Sequence, residues 1–120
     1  MTQVGEDGFL GGKLRLRQPA RGYRAGADPV FLAAAVPARP GDSVLDLGCG
    51  VGTALFCLMS RVPDLSATGD ELVNSQVLLA RENAGLNGLE ATIVQADVTA
   101  LPPELTAQSF DHVFFNPPFF

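Results

Sequence analysis

The spacing of apolar and polar positions changes several times along the chain, and the changes mark its elements. Over residues 9–18 the run FLGGKLRLRQ sets Leu14 and Leu16 against Lys13, Arg15 and Arg17, with Gly11 and Gly12 as a turn. That alternation predicts a half-exposed β-hairpin with one basic and one apolar face. A loop over 19–26 follows. Asp28 and Pro29 then start a helix reaching about Val36, since an aspartate can accept from the first orphan amides and a proline at the first helical position forfeits no bond. Pro37 and Pro40 end it, and Gly41 and Asp42 form a connector. Residues 43–47 are a short continuous apolar run bounded by turn residues, the pattern of a parallel strand covered on both faces. Beyond it the pattern predicts a helix over 53–61, a strand over 65–70, and a helix over 74–85 with Val77, Ala80 and Ala84 on one stripe. Asn87 and Gly88 stop that helix. A third strand over 91–96, a loop or short helical turn at Pro102 and Pro103, and a fourth strand over 111–115 complete the pattern. Strands alternating with helical runs make βαβ units, so the fold class is α/β with a parallel sheet.

Composition narrows the class. The chain has 120 residues, 47% hydrophobic and 18% charged, which suits one globular unit with a real core and excludes disordered and fibrous classes. The apolar run over 30–36 is far shorter than the roughly 20 residues of a membrane-spanning helix, and the chain opens with Glu6 and Asp7 rather than a basic leader. A cytoplasmic location is expected. Cys49 and Cys57 lie on one short segment, which suggests packed thiols rather than a disulfide framework or a metal site. A net charge of −5 argues against a polyanionic partner, but Lys13, Arg15, Arg17, Arg21 and Arg24 are five of the eight basic residues, and no acid falls between Gly8 and Ala27. The chain is acidic with a basic arm, either a solvated hairpin or a surface for phosphates. An organisation follows in which 1–40 form the basic hairpin and helix and 41–120 the part built of βαβ units.

The chemistry centres on VLDLGCGVG, residues 44–52. A glycine-rich turn between strand and helix lets backbone approach a ligand, and Gly48, Gly50 and Gly52 provide one. The spacing is GxGxG, not the GxGxxG of dinucleotide sites, and no GK[ST] of a P-loop follows. A purely structural turn is the competing reading. Two acids at later strand ends favour a ligand. Glu71, in ATGDEL, can accept both hydroxyls of a ribose, whereas Asp70 reads as an exposed loop acid. Asp97, in QAD, is placed to accept from an exocyclic amine such as that of adenine.

The fourth strand leads into Asn116, Pro117, Pro118 and Phe119. A planar amine on adenine, or an amide, has a delocalised lone pair and is a poor nucleophile. The Asn116 side-chain oxygen and the Pro117 carbonyl can hold its two hydrogens, favour a pyramidal nitrogen and aim the lone pair for in-line displacement. Phe119 offers a face on which a base stacks, worth roughly 1–3 kcal/mol. A turn after a strand is the alternative. His112 stands alone on its strand and reads as a structural or edge histidine, and Phe110, Phe114 and Phe115 read as core.

Together VLDLGCGVG, ATGDEL, QAD and NPPF resemble the S-adenosylmethionine-dependent methyltransferases with a Rossmann-like sheet. The resemblance implies that the loop 48–52 lies against the methionine part of the cofactor with Asp46 near its amino group, Glu71 on the ribose and Asp97 on the adenine. Asp28 is counted with the cofactor-binding acids. With these motifs, the run GGKLRLRQPARGYRAGADPVFLAAA is similar to the bacterial methyltransferases of the adenine amino group beside the anticodon of a valine tRNA. That implies methyl transfer to RNA, with Lys13, Arg15, Arg17 and Arg21 meeting phosphates and Tyr23 and Arg24 near the entrance for a base taken out of its stack. Related NPPF enzymes act on rRNA guanine amino groups or release-factor glutamine, and a cofactor- or RNA-binding module without chemistry is a further alternative. The family builds a seven-stranded sheet and this chain reaches its fourth strand, so the sequence is read as an N-terminal part that methylates poorly alone. A sheet edge open to self-association is expected.

Overall fold

A computed structural model describes residues 4–19 and 28–115. Strands β1 (Val4–Phe9) and β2 (Leu14–Pro19) pair antiparallel in the register Phe9↔Leu14 to Val4↔Pro19. Leu14 and Leu16 are fully buried and Arg15 is exposed, as the alternation requires. β1 lies outside the span read as hairpin, and the turn is longer than Gly11 and Gly12. It is a 3-10 turn over Leu10–Gly12 with positive φ at all three residues.

The second face of β2 has an unusual partner. On helix α3 (Asn74–Leu86), Asn83 and the residue just past the helix end, Asn87, use side-chain amides to hold its edge. The Asn87 Oδ1 accepts from Arg15 N at 3.0 Å and its Nδ2 donates to Arg15 O at 2.6 Å. Asn83 does the same with Arg17, Oδ1 accepting from N at 2.7 Å and Nδ2 donating to O at 3.0 Å. Four helical residues rise about 6 Å and two strand residues about 6.6 Å, so the two amides match alternate strand positions. A strand edge is thereby closed by side chains.

Helix α1 (Asp28–Ala35) packs on α2 (Thr53–Arg61). With no basic residue in its own last turn, α1 has its end bound by Arg61, whose guanidinium donates to Ala33 O at 3.0 Å and Val36 O at 2.7 Å. Strands β3 (Ser43–Leu47), β4 (Ser66–Glu71), β5 (Ala91–Gln95) and β6 (His112–Phe115) form a parallel sheet in the order β5-β4-β3-β6. β3 is interior and α2 is buried from Thr53 through Leu58, so apolar residues surround that helix on all sides. α3 keeps Val77, Ala80 and Ala84 inward. It ends as Asn87 and Gly88 predict: Gly88 has φ +64°, Gly88 N donates to Gly85 O and Leu89 N to Ala84 O. The short helix α4 (Pro103–Thr106) leads to β6. Leu14, Leu16, Val44, Leu55, Phe56 and Leu58 belong to one core, which the hairpin therefore shares.

Two readings are corrected. β4 runs one residue later than its apolar run suggests, which leaves Leu65 out of the sheet and takes Glu71 into it. Phe114 is buried, but Phe115 is 50% exposed, because alternate residues of β6 face opposite sides and only one side is covered. β6 is locked to β3 at its start by Asp111 Oδ2, which accepts from Ser43 N at 2.8 Å, while Asp111 N donates to Ser43 O at 2.9 Å.

Candidate functional site

From β3 the chain moves to one side through β4 and β5, then returns to pair β6 on the other side. The carboxyl ends of β3 and β6 therefore flank the point where parallel sheets bind ligands. The loop leaving β3 there has Gly48, Gly50 and Gly52 at φ +65°, +59° and +97°. Four of its amides are committed inside the protein: Gly48 N to Asp70 Oδ1 at 2.9 Å, Cys49 N to Asp70 O at 2.8 Å, Gly50 N to Glu71 Oε1 at 2.9 Å, and Gly52 N to Cys49 O at 3.0 Å. A phosphate cradle needs such donors unspent. Gly52 answers a packing need as well, since a Cβ there would lie 2.2 Å from the Phe56 ring.

Behind the loop stand carboxylates. Asp46 and Asp70 are fully buried, on adjacent strands, with Leu47 in register with Asp70. Burial drives the Asp46 carboxyl well above the usual carboxylate range, Asp70 and Glu71 push it further, and the Leu55 amide opposes them. Asp70 is also raised, first by burial and against the Gly48 amide, and its Oδ2 is buried without a hydrogen-bond partner among the described residues. Asp70 is thus no exposed loop acid: it builds the glycine loop from beneath. Glu71, half-buried, accepts from Gly50 N and, through Oε2, from Val73 N at 2.9 Å. The crevice is lined by carboxyl groups and four of its loop amides are spent, so it favours a cationic ligand over a diphosphate.

The raised acids have a pH consequence. Between the ordinary aspartate value of 3.8 and their folded-state values they bind more protons folded than unfolded, so their contribution to stability falls as pH rises through that window. Asp46→Asn is expected to flatten this slope. Its melting temperature, relative to that of the unsubstituted chain, should rise as pH rises above about 4; parallel curves would contradict the assignment.

Other expected site residues are dispersed. Asp97 lies two residues beyond the end of β5, exposed, with Oδ1 accepting from Thr99 N at 2.9 Å and Thr99 Oγ1 at 2.7 Å, and these bonds lower its pKa. Asp28 is exposed at the head of α1, and among the described residues no hydrogen bond joins it to the glycine loop. Lys13 is exposed, but Arg15 pairs with Glu6 at 3.1 Å and Arg17 with Glu82, so the basic face is partly neutralised by acids from outside the arm. Arg21, Tyr23, Arg24, Asn116, Pro117 and Phe119 lie outside the described residues. His112 has a structural partner, Asp42 Oδ2 at 3.1 Å. Both cysteines are free and buried, and burial raises the Cys57 thiol to about 11 and Cys49 further. An open groove lined by Leu65, Ser66, Arg81, Leu89, Glu90 and Thr92 lies at the amino ends of β4 and β5, the opposite end of the sheet from the loop.

The missed contributors are Asp70 and Asn83. The paired acids of ATGDEL carried a signal for the first; the four-residue spacing of Asn83 and Asn87 carried one for the second.

Comparison with known proteins agrees with this geometry. The family profile described as Methyltransferase small domain matches residues 26–120. The tRNA1(Val) (adenine(37)-N6)-methyltransferase of Yersinia enterocolitica is 30% identical over an alignment covering 100% of this chain and 53% of that protein. The release factor glutamine methyltransferase of Deinococcus radiodurans is 33% identical over 63% of this chain and 26% of its own length. Among solved structures, the Thermus thermophilus 16S rRNA N2 G1207 methyltransferase in complex with AdoMet and guanosine superposes with a TM-score of 0.73 at 23% identity, covering 98% of this chain and 33% of that one. The chain spans about half or less of the length of these curated relatives. No described helix is long and apolar enough to cross a membrane. The loop, the acids behind it and the matched span lead to one conclusion: the chain belongs to the methyltransferase small domain family, whose cofactor is S-adenosylmethionine.

Proposed function

We propose that this chain carries the cofactor half of an enzyme that methylates the exocyclic amino group of adenine in RNA, with tRNA as the substrate. The observation that carries this reading is the end of β6. Leu47 is in register with Phe115, and the Phe115 ring lies 3.1 Å from where a Cβ on Gly48 would sit. The sequence therefore passes from the glycine loop's immediate neighbour directly into Asn116, Pro117, Pro118 and Phe119. The tRNA relative supports the substrate, since its alignment includes the hairpin and spans the whole chain.

The residues fit the cofactor by charge and by hydrogen-bond acceptors. S-adenosylmethionine carries a sulfonium and an ammonium, and when bound it supplies an electrophilic methyl group. Asp46 and Asp70 place two buried carboxyl groups behind the loop, which a bound cation would draw toward their ionised form, Glu71 has acceptor capacity left for ribose hydroxyls, and Asp97 would accept from the adenine amine. Asn116 and Pro117 hold the hydrogens of the acceptor amine, and Phe119 stacks its ring. The methylated amine is cationic and loses its proton to solvent, so no prior base is needed.

Glu71→Gln is expected to weaken S-adenosylmethionine binding by about 10- to 100-fold, because one carboxylate acceptor becomes a donor facing Gly50 N or Val73 N. Calorimetric titration reads this directly, and unchanged affinity would remove Glu71 from the site. The functional reading is tested by incubating the full-length gene product with labelled cofactor and either total tRNA or release factor. Label in tRNA adenine is expected. Label in release factor alone would replace this reading with amide methylation, the activity named for the Deinococcus radiodurans relative.

A further inference from the structure

We propose that Asn83 is a positioning residue through which the docked N-terminal hairpin holds the cofactor loop in shape, a role that rests on that loop binding S-adenosylmethionine. Asn83 is fully buried on α3. Its Oδ1 accepts from Arg17 N, and its Nδ2 donates both to Arg17 O and to Val51 O, the latter at 3.0 Å. One carboxamide thus joins the outer edge of β2 to the last turn of the glycine loop.

The Val51 carbonyl and the Gly52 amide belong to one peptide unit and point in opposite directions. Asn83 takes the carbonyl, and Cys49 O takes the amide at 3.0 Å. Glycines flank Val51 on both sides, at φ +59° and +97°, and glycine resists rotation of adjoining peptide planes least of all residues. The plane is therefore set by its hydrogen bonds. Arg17 in turn sets the Asn83 side chain: without Arg17 N, Oδ1 becomes a buried acceptor with no partner, and one of the three bonds that fix the plane of the amide facing Val51 O is lost. Asn87 provides the contrast. It grips Arg15 in the same manner, and its remaining bond goes to Asn83 O at 2.8 Å, not to the loop.

Proline at position 17 removes the N–H that Asn83 accepts while leaving the ladder to β1, because that N–H points toward α3 and prolines are tolerated at such edges. Arg17→Ala removes the ion pair with Glu82 and keeps the N–H. The full chain and its Arg17→Pro, Arg17→Ala, Asn83→Ala, Asn87→Ala and Arg17→Pro/Asn83→Ala variants are titrated with S-adenosylhomocysteine and melted in parallel. Arg17→Pro and Asn83→Ala should each raise Kd about tenfold, and the double variant no further. Arg17→Ala and Asn87→Ala should lower the melting temperature and leave Kd within about twofold. Wild-type affinity in Arg17→Pro, or additive losses in the double variant, would overturn the coupling. Should Asn83→Ala fail to fold, the comparison of Arg17→Pro with Arg17→Ala decides alone. Wild-type affinity in Glu71→Gln would instead fault the placement of the cofactor, a distinguishable result.

Discussion

An Asn116→Ala enzyme of full natural length is expected to bind S-adenosylmethionine as the parent does and to transfer methyl about a thousandfold more slowly. The acceptor nitrogen is planar because its lone pair is shared with the ring, and attack on a methyl group requires that sharing to be given up. An acceptor aimed at the amine hydrogens favours the pyramidal form and costs nothing to reorganise at the moment of reaction. Removing it leaves the proposed cofactor contacts, from Asp46, the glycine loop, Glu71 and Asp97, untouched. Calorimetry for binding and single-turnover transfer for chemistry separate the two effects. A kcat near the parent's would show that the amine is oriented by another group.

Gly52→Ala is expected to cost about 2–5 kcal/mol of stability. Two effects add: a left-handed residue with a side chain costs about 1–2 kcal/mol, and overpacking a core costs about 1–3 kcal/mol. Here the added Cβ would lie 2.2, 2.7 and 2.8 Å from three atoms of the Phe56 ring, which is itself fully buried and cannot swing aside. Gly88→Ala makes the control, with φ +64° and nothing within 4 Å of the added carbon, so only the backbone cost of about 1 kcal/mol applies. Each kcal/mol moves the melting temperature of a domain this size by about 4–8 °C, which separates the two variants clearly. Similar melting temperatures would show that Phe56 yields. The third glycine of the loop is thus required by the core as much as by any ligand.

Where apolar period and burial coincide, the fold was legible in the sequence. The bounds of β3 and α2 match the pattern, since a strand covered on both faces and a helix buried all round write themselves as apolar runs. β1 was not legible: VGEDGF alternates exposed with half-buried positions and owes its strand form to pairing with β2. Charge misled in one place. Arg15 and Arg17 look free because no acid lies nearby in sequence, yet Glu6 and Glu82 reach them in space. Chemistry misled in another, because a carboxylate under a loop cannot be told from one in solvent by polarity alone. Glu71 and its neighbour looked interchangeable in type, and only the register of β4 separates the acid at the rim from the one that builds the loop. Asn87 was legible with Gly88 as a stop signal for α3, while the grip of Asn83 and Asn87 on a strand 66 and 72 residues away needed the tertiary structure.

The account is tested most directly by nucleoside mass spectrometry of tRNA from cells that lack the gene and from cells in which it is restored. N6-methyladenosine should be missing from one tRNA species in the first and return in the second. An unchanged N6-methyladenosine content in tRNA, with methylation lost instead from a guanine amino group of rRNA or a release-factor glutamine, would contradict it.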